Sequence, residues 1–385
     1  MKCEQLFKKI DELYPKYVKV WEDVCNIESP TNYKEGVDKV CRYFIKMAQE
    51  RGWDIEISEQ DIAGDAACIT LNPKAQGEPV CLSGHMDTVH PIGLFGNPPV
   101  RMDAEKIYGP GVIDCKGGIV ASFLAMDALS QVGFSARPVK LILQSDEETG
   151  SKTSGKKTIE FMCEKAKGAI AFLNTEGCAV KKAWTVALTR KGILRYRFNI
   201  KGVAAHSSVC DEGANAIAEA AHKILELEKM KNAGGLTCNC GVIEGGTVAN
   251  TVAEECSFLA DIRFATEEEM KQAIETVKRV AETNIIERCS CQLEMVSERP
   301  PMVKSDKNIA LFNKFNEICN QCGLKPIENE ARKGGSDAAY ITQIGVPCVD
   351  NIGVLGGRIH SIEEYALLSS LAESAKYMAA VAYCI

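Results

Sequence analysis

Three short apolar runs in this chain end in the same kind of chemistry. "PVCLSGHMDTV" (79–89) runs into His85 and Asp87, "VKLILQSDEETGS" (139–151) into Glu147 and Glu148, and "AIAFLNTEG" (169–177) into Glu176. Short apolar runs bounded by turn residues read as strands buried on both faces. Helical segments separate them, and "KGGIVASFLAMDALSQVG" (116–133) is apolar nearly all round, with Gly133 as its stop. Strands alternating with helices predict an α/β fold with a mixed, largely parallel sheet. Such sheets bind ligands outside the carboxyl ends of their strands. His85, Asp87, Glu147, Glu148 and Glu176 are therefore expected on one edge.

From Trp184 the pattern changes. "WTVALT", "LRYRFNIKG", "GLTCNCGVI", "ECSFLADIRF" and "CSCQLEMV" read as strands. Two helices interrupt them. "GANAIAEAAHKILELEKM" places Ile217, Ala221, Ile224 and Leu225 on one face, and "EEEMKQAIETVKRVAET" places Met270, Ile274, Val277 and Ala281 on one face. The βαββαβ order fits a ferredoxin-like α+β unit. After "SERPPM" the α/β pattern returns. The expected organisation is a discontinuous α/β domain, 1–183 and 298–385, with an inserted domain at 184–297.

Composition narrows the function. The 385 residues carry a net charge of −7, which offers no basic face for nucleic acid. No apolar run reaches membrane-spanning length, and "MKCEQLFKKIDELYPKY" is too charged for a signal peptide. A soluble cytoplasmic protein is expected. Its 18 cysteines then read as reduced thiols used as small hydrophobes. Cys238 and Cys240, and Cys289 and Cys291, alternate along strands and are expected to share sheet faces. Cys319 and Cys322 form a lone CxxC at a helix end with Gly323 as its cap; no second pair lies at zinc-ribbon spacing, so the reading is structural.

His, Asp and Glu are ligands for zinc-class ions. Asp114 in "GPGVIDCKGG" and His360 in "LGGRIHS" join the acids at the strand ends. Taken one at a time, these residues have ordinary readings as helix caps, solvated turns or a core histidine. Together with "GVAAHSS", "GGTVANTV", "DIRF", "GGSDAAY" and "HSIEEY", in this order, they resemble the M20 metallopeptidases, in particular the glutamate carboxypeptidase branch. The resemblance spans the chain and implies roles. His85 and Glu176 would hold one of two zinc ions (cobalt or manganese could substitute), Glu148 and His360 the other, and Asp114 would bridge them. Asp87 would orient the His85 ring, Glu147 would be the general base, and the bond after Asp114 would be cis. His206 would stabilise the oxyanion in the active site of a partner subunit, in a homodimer formed through the insert. Asn250, Arg263, Arg299, Gly356 and Gly357 would contact the substrate. Gly177 stands where many relatives have Pro, which would leave that loop freer. His90 matches no ligand and reads as structural or rim, and His222 as solvent-facing or core.

The expected activity is hydrolysis of an amide or peptide bond next to an amino acid with a free carboxylate. Carboxypeptidase-like cleavage leads, and deacylation of an N-acyl amino acid is the alternative. A metal- or ligand-binding protein without turnover would be expected to lack the bridge or the base. A thiol-redox protein built on Cys319 and Cys322 would be expected to act in the presence of chelators.

Overall fold

A computed structural model describes residues 3–181, 183–231 and 235–385. The chain divides into two compact units, Met1–Leu188 with Lys304–Ala331 and Tyr340–Ile385, and Thr189–Val303 with Arg332–Ala339.

The first unit is built on a six-stranded sheet. Its order is Asp54–Ser58, Ala66–Leu71, Val139–Gln144, Val80–His85, Ala171–Asn174, Cys348–Val349. The last four run parallel, and the first two attach antiparallel. Val80–His85 lies in the interior of the sheet. Register aligns the strand ends, with His85 opposite Gln144 and Ser83 opposite Asn174. The residues that follow Gln144 and Asn174 therefore emerge beside His85. The helix Lys116–Gln131 is buried along most of its length. Helices Glu4–Cys25 and Ser370–Cys384 pack on it, and Tyr17, Trp21, Phe44 and Phe123 fill the core between the layers.

A second sheet of this unit joins Arg101–Met102, Lys106–Tyr108, Tyr365–Leu367, Leu355–Gly357 and Cys178–Ala179. It pairs Tyr108 with Tyr365 and Gly357 with Tyr365. The loop that carries Asp114 leaves one of these strands, and the loop that carries His360 connects two of them.

Trp184–Val186 pairs in parallel with Ile327–Asn329, so it belongs to the first unit rather than to an insert starting at 184. The segment Arg332–Ala339 belongs to the second unit. Arg190 explains this: its backbone exchanges hydrogen bonds with Met302 at 3.1 Å each, and its guanidinium donates to the carbonyls of Gly334 and Gly335.

The second unit is a four-stranded antiparallel sheet, Thr237–Gly245, Glu255–Phe264, Gly192–Lys201 and Ser290–Arg299 in spatial order, with helices Ala216–Glu228 and Glu267–Glu282. Strands Gly192–Lys201 and Glu255–Phe264 alternate buried and half-buried positions, the period of a sheet covered on one face. The first helix turns a different side to the core than its apolar residues suggest. Of the four residues expected on the apolar face only Ile224 packs on the core; Ile217, Ala221 and Leu225 are exposed, while Ala216, Glu219, Ala220, Lys223 and Leu227 are buried. Lys223 pairs with Glu219 at 3.1 Å and donates to the carbonyls of Val280, Ala281 and Thr283. It satisfies the open end of the second helix, an ionic contact that a hydrophobic period cannot show. Cys238 and Cys240 both pack on this unit's core. Among the described residues no helix is long and apolar enough to cross a membrane.

Candidate active site

Five of the expected ligands come together at the carboxyl edge of the first sheet. Asp114 stands between the two histidines. Its Oδ1 lies 3.2 Å from His85 Nε2 and its Oδ2 lies 3.2 Å from His360 Nε2. Glu176 Oε1 is 3.8 Å from His85 Nε2, and Glu148 Oε2 is 3.4 Å from His360 Nε2. One carboxylate thus faces two imidazoles, each with a second carboxylate of its own. The peptide bond after Asp114 is cis, and His360 takes a left-handed φ of 62°.

Electrostatics of the cluster follow from burial and pairing. Contact with Asp114 and then Glu148 pushes His360 up to about 10. His85 is buried, which opposes its charge, yet Cys115, Asp114 and Asp87 around it hold its proton well above the usual imidazole range. Burial, and next the Asp114 carboxylate, push Glu148 up to about 8. Burial also opposes the charge of Asp114, but the two histidines hold it well below the usual carboxylate range. Three acids crowded around two imidazoles draw protons in to balance their charge. A pair of divalent cations would balance it in their place, and two N/O donor sets sharing one carboxylate fit such a pair.

Asp87 is fully buried and does more than expected. The His85 ring is met from behind by the Asp87 backbone carbonyl at 3.0 Å, with the carboxylate Oδ1 at 3.3 Å. That carboxylate accepts the backbone N–H of Glu147 at 3.2 Å and of Glu148 at 3.1 Å, and the Thr31 hydroxyl at 2.7 Å. Glu147 is buried beside Glu148 in the 3-10 turn Glu147–Thr149.

Three contributors were assigned no role from the sequence, although Glu364 lies in "HSIEEY" and Cys115 in "GPGVIDCKGG". Glu364 is buried; its Oε1 accepts the N–H groups of Ile113 and Asp114, and its Oε2 pairs with His90 at 2.8 Å. The Cys115 Sγ accepts the His85 N–H at 3.0 Å, and burial pushes this thiol up to about 12. Ser29, in the break between the first two helices, exchanges bonds with the strand end: its hydroxyl donates to the Met86 carbonyl, and its carbonyl accepts the Thr88 N–H.

Residues 81–383 match Peptidase family M20/M25/M40. The chain belongs to that family. It is 27% identical over 384 residues to carboxypeptidase G2 of Pseudomonas sp. (strain RS-16), covering 97% of this chain and 90% of that one. It is 23% identical over 309 residues to the succinyl-diaminopimelate desuccinylase of Wolinella succinogenes, covering 76% and 80%. Its fold is similar to the crystal structure of the M20 family metallo-carboxypeptidase Sso-CP2 from Sulfolobus solfataricus, with TM-score 0.77, 16% identity and coverage of 96% and 98%. This M20 chain is accordingly a metal-dependent hydrolase of the peptidase and amidohydrolase class.

The remaining expected site residues of this M20 chain fall into two groups. In the first unit, Gly356 lies within its sheet, paired with Ala366 on one side and Ala179 on the other, and Gly357 pairs with Tyr365. A Cβ on Gly356 would meet the Tyr365 carbonyl oxygen at 2.1 Å. Close strand packing therefore accounts for glycine at 356. Gly177 is not a freer loop position either, because a Cβ there would meet Ile113 Cγ1 at 2.3 Å. The loop is pressed against the residue before Asp114.

In the second unit, exposed His206 accepts the Ser208 backbone N–H on Nδ1 at 3.2 Å. A backbone N–H can only donate, so the neutral ring carries its proton on Nε2. Asn250 is exposed next to it, its carbonyl accepting the Ser207 N–H. Arg263 has its fork filled by Asp261, at 2.6 and 3.1 Å. That strand ion pair accounts for the residue without a substrate. Arg299 is buried, with its NH2 group 3.9 Å from Asp337. His222 is exposed on its helix.

Proposed function

We propose that this protein hydrolyses the amide bond next to an amino acid with a free carboxylate, as a carboxypeptidase-like enzyme with two zinc ions per chain. The observation that carries this reading is Asp114, one oxygen toward His85 and the other toward His360. His85 and Glu176 would hold one ion, His360 and Glu148 the other, and Asp114 both. Bound there, the ions would lower the pKa of a water and polarise the scissile carbonyl.

The chain's own residues do the rest. Glu147 takes a proton from the attacking water and returns it to the leaving amine nitrogen. Asp87 fixes the backbone of Glu147 and Glu148 together, so base and ligand keep one relative position. His206 donates from Nε2 to the oxygen that gains charge, in the active site of a second copy of the chain. The homodimer forms through the second unit. Its strand Thr237–Gly245 is a sheet edge among the described residues, with Val242 and Ile243 about half exposed, and an open apolar edge is a template for pairing with another chain.

Likeness to a desuccinylase supports N-acyl amino acid deacylation as the second reading. The test is a chromatographic screen of peptides and N-acyl amino acids against protein stripped with chelator and reloaded with zinc. Release of a C-terminal amino acid, lost on stripping and restored by zinc, is the expected result. Cleavage of N-acyl amino acids alone would move the assignment to the deacylase. Turnover that persists in chelator would overturn both.

A further inference from the structure

The sulfur atoms of Cys3, Cys322 and Cys384 converge in the first unit from three elements far apart in sequence. Cys3 precedes the helix Glu4–Cys25, Cys322 ends the helix Asp306–Cys322, and Cys384 ends the helix Ser370–Cys384. Cys3 and Cys322 are 1% exposed and sit with Ile318 and Ala380, and Phe7 and Leu324 pack against them. Cys384 is half-buried. The sulfurs of Cys3 and Cys322 are 2.6 Å apart, and Cys384 lies 3.6 Å from the first and 3.8 Å from the second. The CxxC thiol Cys322 thus meets Cys3, 319 residues away.

Two chemistries use thiols at such distances. A disulfide needs a sulfur separation of about 2.0 Å. Two thiolates on one tetrahedral zinc, at about 2.3 Å each, stand about 3.8 Å apart. The Cys3–Cys322 pair is thus about 0.6 Å from a bond and about 1.2 Å from a shared ion. We propose that Cys3, Cys322 and Cys384 form a thiol–disulfide exchange site that accepts a low-molecular-weight disulfide and closes a Cys3–Cys322 bond.

Cys3 and Cys322 are 1% exposed, so a small disulfide does not reach them first. Entry falls to the half-buried Cys384. The Cys384 thiolate attacks the reagent RSSR, giving a mixed disulfide and one RS⁻. Cys322 then attacks the Cys384 sulfur, forming Cys322–Cys384 and releasing the second RS⁻. Cys3 attacks Cys322, forms Cys3–Cys322 and returns Cys384 as a thiol. In sum, two protein thiols and RSSR give one protein disulfide and two RSH. None of the three cysteines belongs to the carboxylate–imidazole cluster, so the inference stands apart from the proposed hydrolysis.

The test uses the full chain, metal-loaded and reduced, incubated with oxidised glutathione, alkylated and mapped by peptide mass spectrometry. Glutathione on the exposed Cys210 reports reagent access. The expected result is a Cys3 peptide joined to a Cys322 peptide, lighter by two hydrogen atoms, with no glutathione kept on Cys384. Cys384→Ser should close the same bond at least about tenfold more slowly, at unchanged hydrolytic activity, and closure at the wild-type rate would overturn the role of Cys384. Alkylatable Cys3 and Cys322 with Cys210 modified would overturn the proposal. So would glutathione that stays on Cys384, or a metal ion retained by the three thiols.

Discussion

The Asp87 carboxylate, fully buried, accepts three hydrogen bonds, two of them from the backbone of adjacent residues with different proposed tasks. The N–H groups of Glu147 and Glu148 are both fixed to this one anion, and the Glu148 side chain reaches His360, while proton transfer is the task proposed for Glu147. That division makes a clean prediction. Glu147→Gln should bind metal as the wild type does and melt at a similar temperature, yet lose about 10²–10⁴-fold in turnover. Asp87→Ala should weaken metal binding by about 10–100-fold and lower turnover as well, because two buried N–H groups lose their acceptor. Metal content by mass spectrometry together with steady-state kinetics separates the two. Near-normal turnover in Glu147→Gln would remove it as the base.

At the scale of elements, the site depends on where strands stop and how closely a helix follows. The helix Lys116–Gln131 begins with Gly117 and Gly118, and a Cβ on Gly118 would meet the Thr175 carbonyl oxygen at 2.1 Å. Thr175 precedes Glu176, so the helix start is pressed directly on the strand end that leads into this proposed ligand. Alanine at a helical position ordinarily gains up to about 1 kcal/mol over glycine, while forced overpacking costs about 1–3 kcal/mol. Against a backbone atom that cannot turn aside, the second effect wins. Gly118→Ala should lower the melting temperature and loosen metal binding, measured by calorimetry on stripped and reloaded protein. A more stable variant with wild-type metal affinity would contradict the close approach. Much of this layer was legible in the sequence. The three apolar runs, their polar ends, and the period of the helices between them place His85, Glu147, Glu148 and Glu176 on one edge. What supports those residues was not legible. Glu364 reaches Asp114 from 250 residues away, and Ser29 and Thr31 brace the His85 strand end from what reads as a simple break between helices. Bonds from side chain to distant backbone have no period and no fixed spacing. The same limit hid the buried side of the helix Ala216–Glu228, where the Lys223–Glu219 ion pair lies among Ala216, Ala220 and Leu227.

For the whole molecule, the βαββαβ order within an α/β chain pointed to an inserted unit. In the structure Trp184–Val186 pairs with Ile327–Asn329 in the first unit, and Arg190 gathers the segment Arg332–Ala339 into the second. The second unit carries His206, exposed, with its Nδ1 taken up by the Ser208 N–H. In the proposed dimer each active site is composite, with metals and Glu147 from one chain and His206 from the other. Pure His206→Ala dimers then lack the oxyanion donor in both sites, and pure Glu147→Ala dimers lack the base in both. A mixed dimer brings the intact His206 of the Glu147→Ala chain to the intact metal site of the His206→Ala chain, and one of its two sites is whole. Random exchange of a two-fold dimer makes about half the dimers mixed, so activity should recover to about one quarter of wild type. Loss of one oxyanion donor costs about 10²–10³-fold, so the recovered activity should stand far above either parent. Co-refolding the two variants, confirming mixed dimers by native mass spectrometry and assaying against each parent decides the matter. Confirmed mixed dimers without recovery would place the action of His206 within its own chain, or outside catalysis altogether.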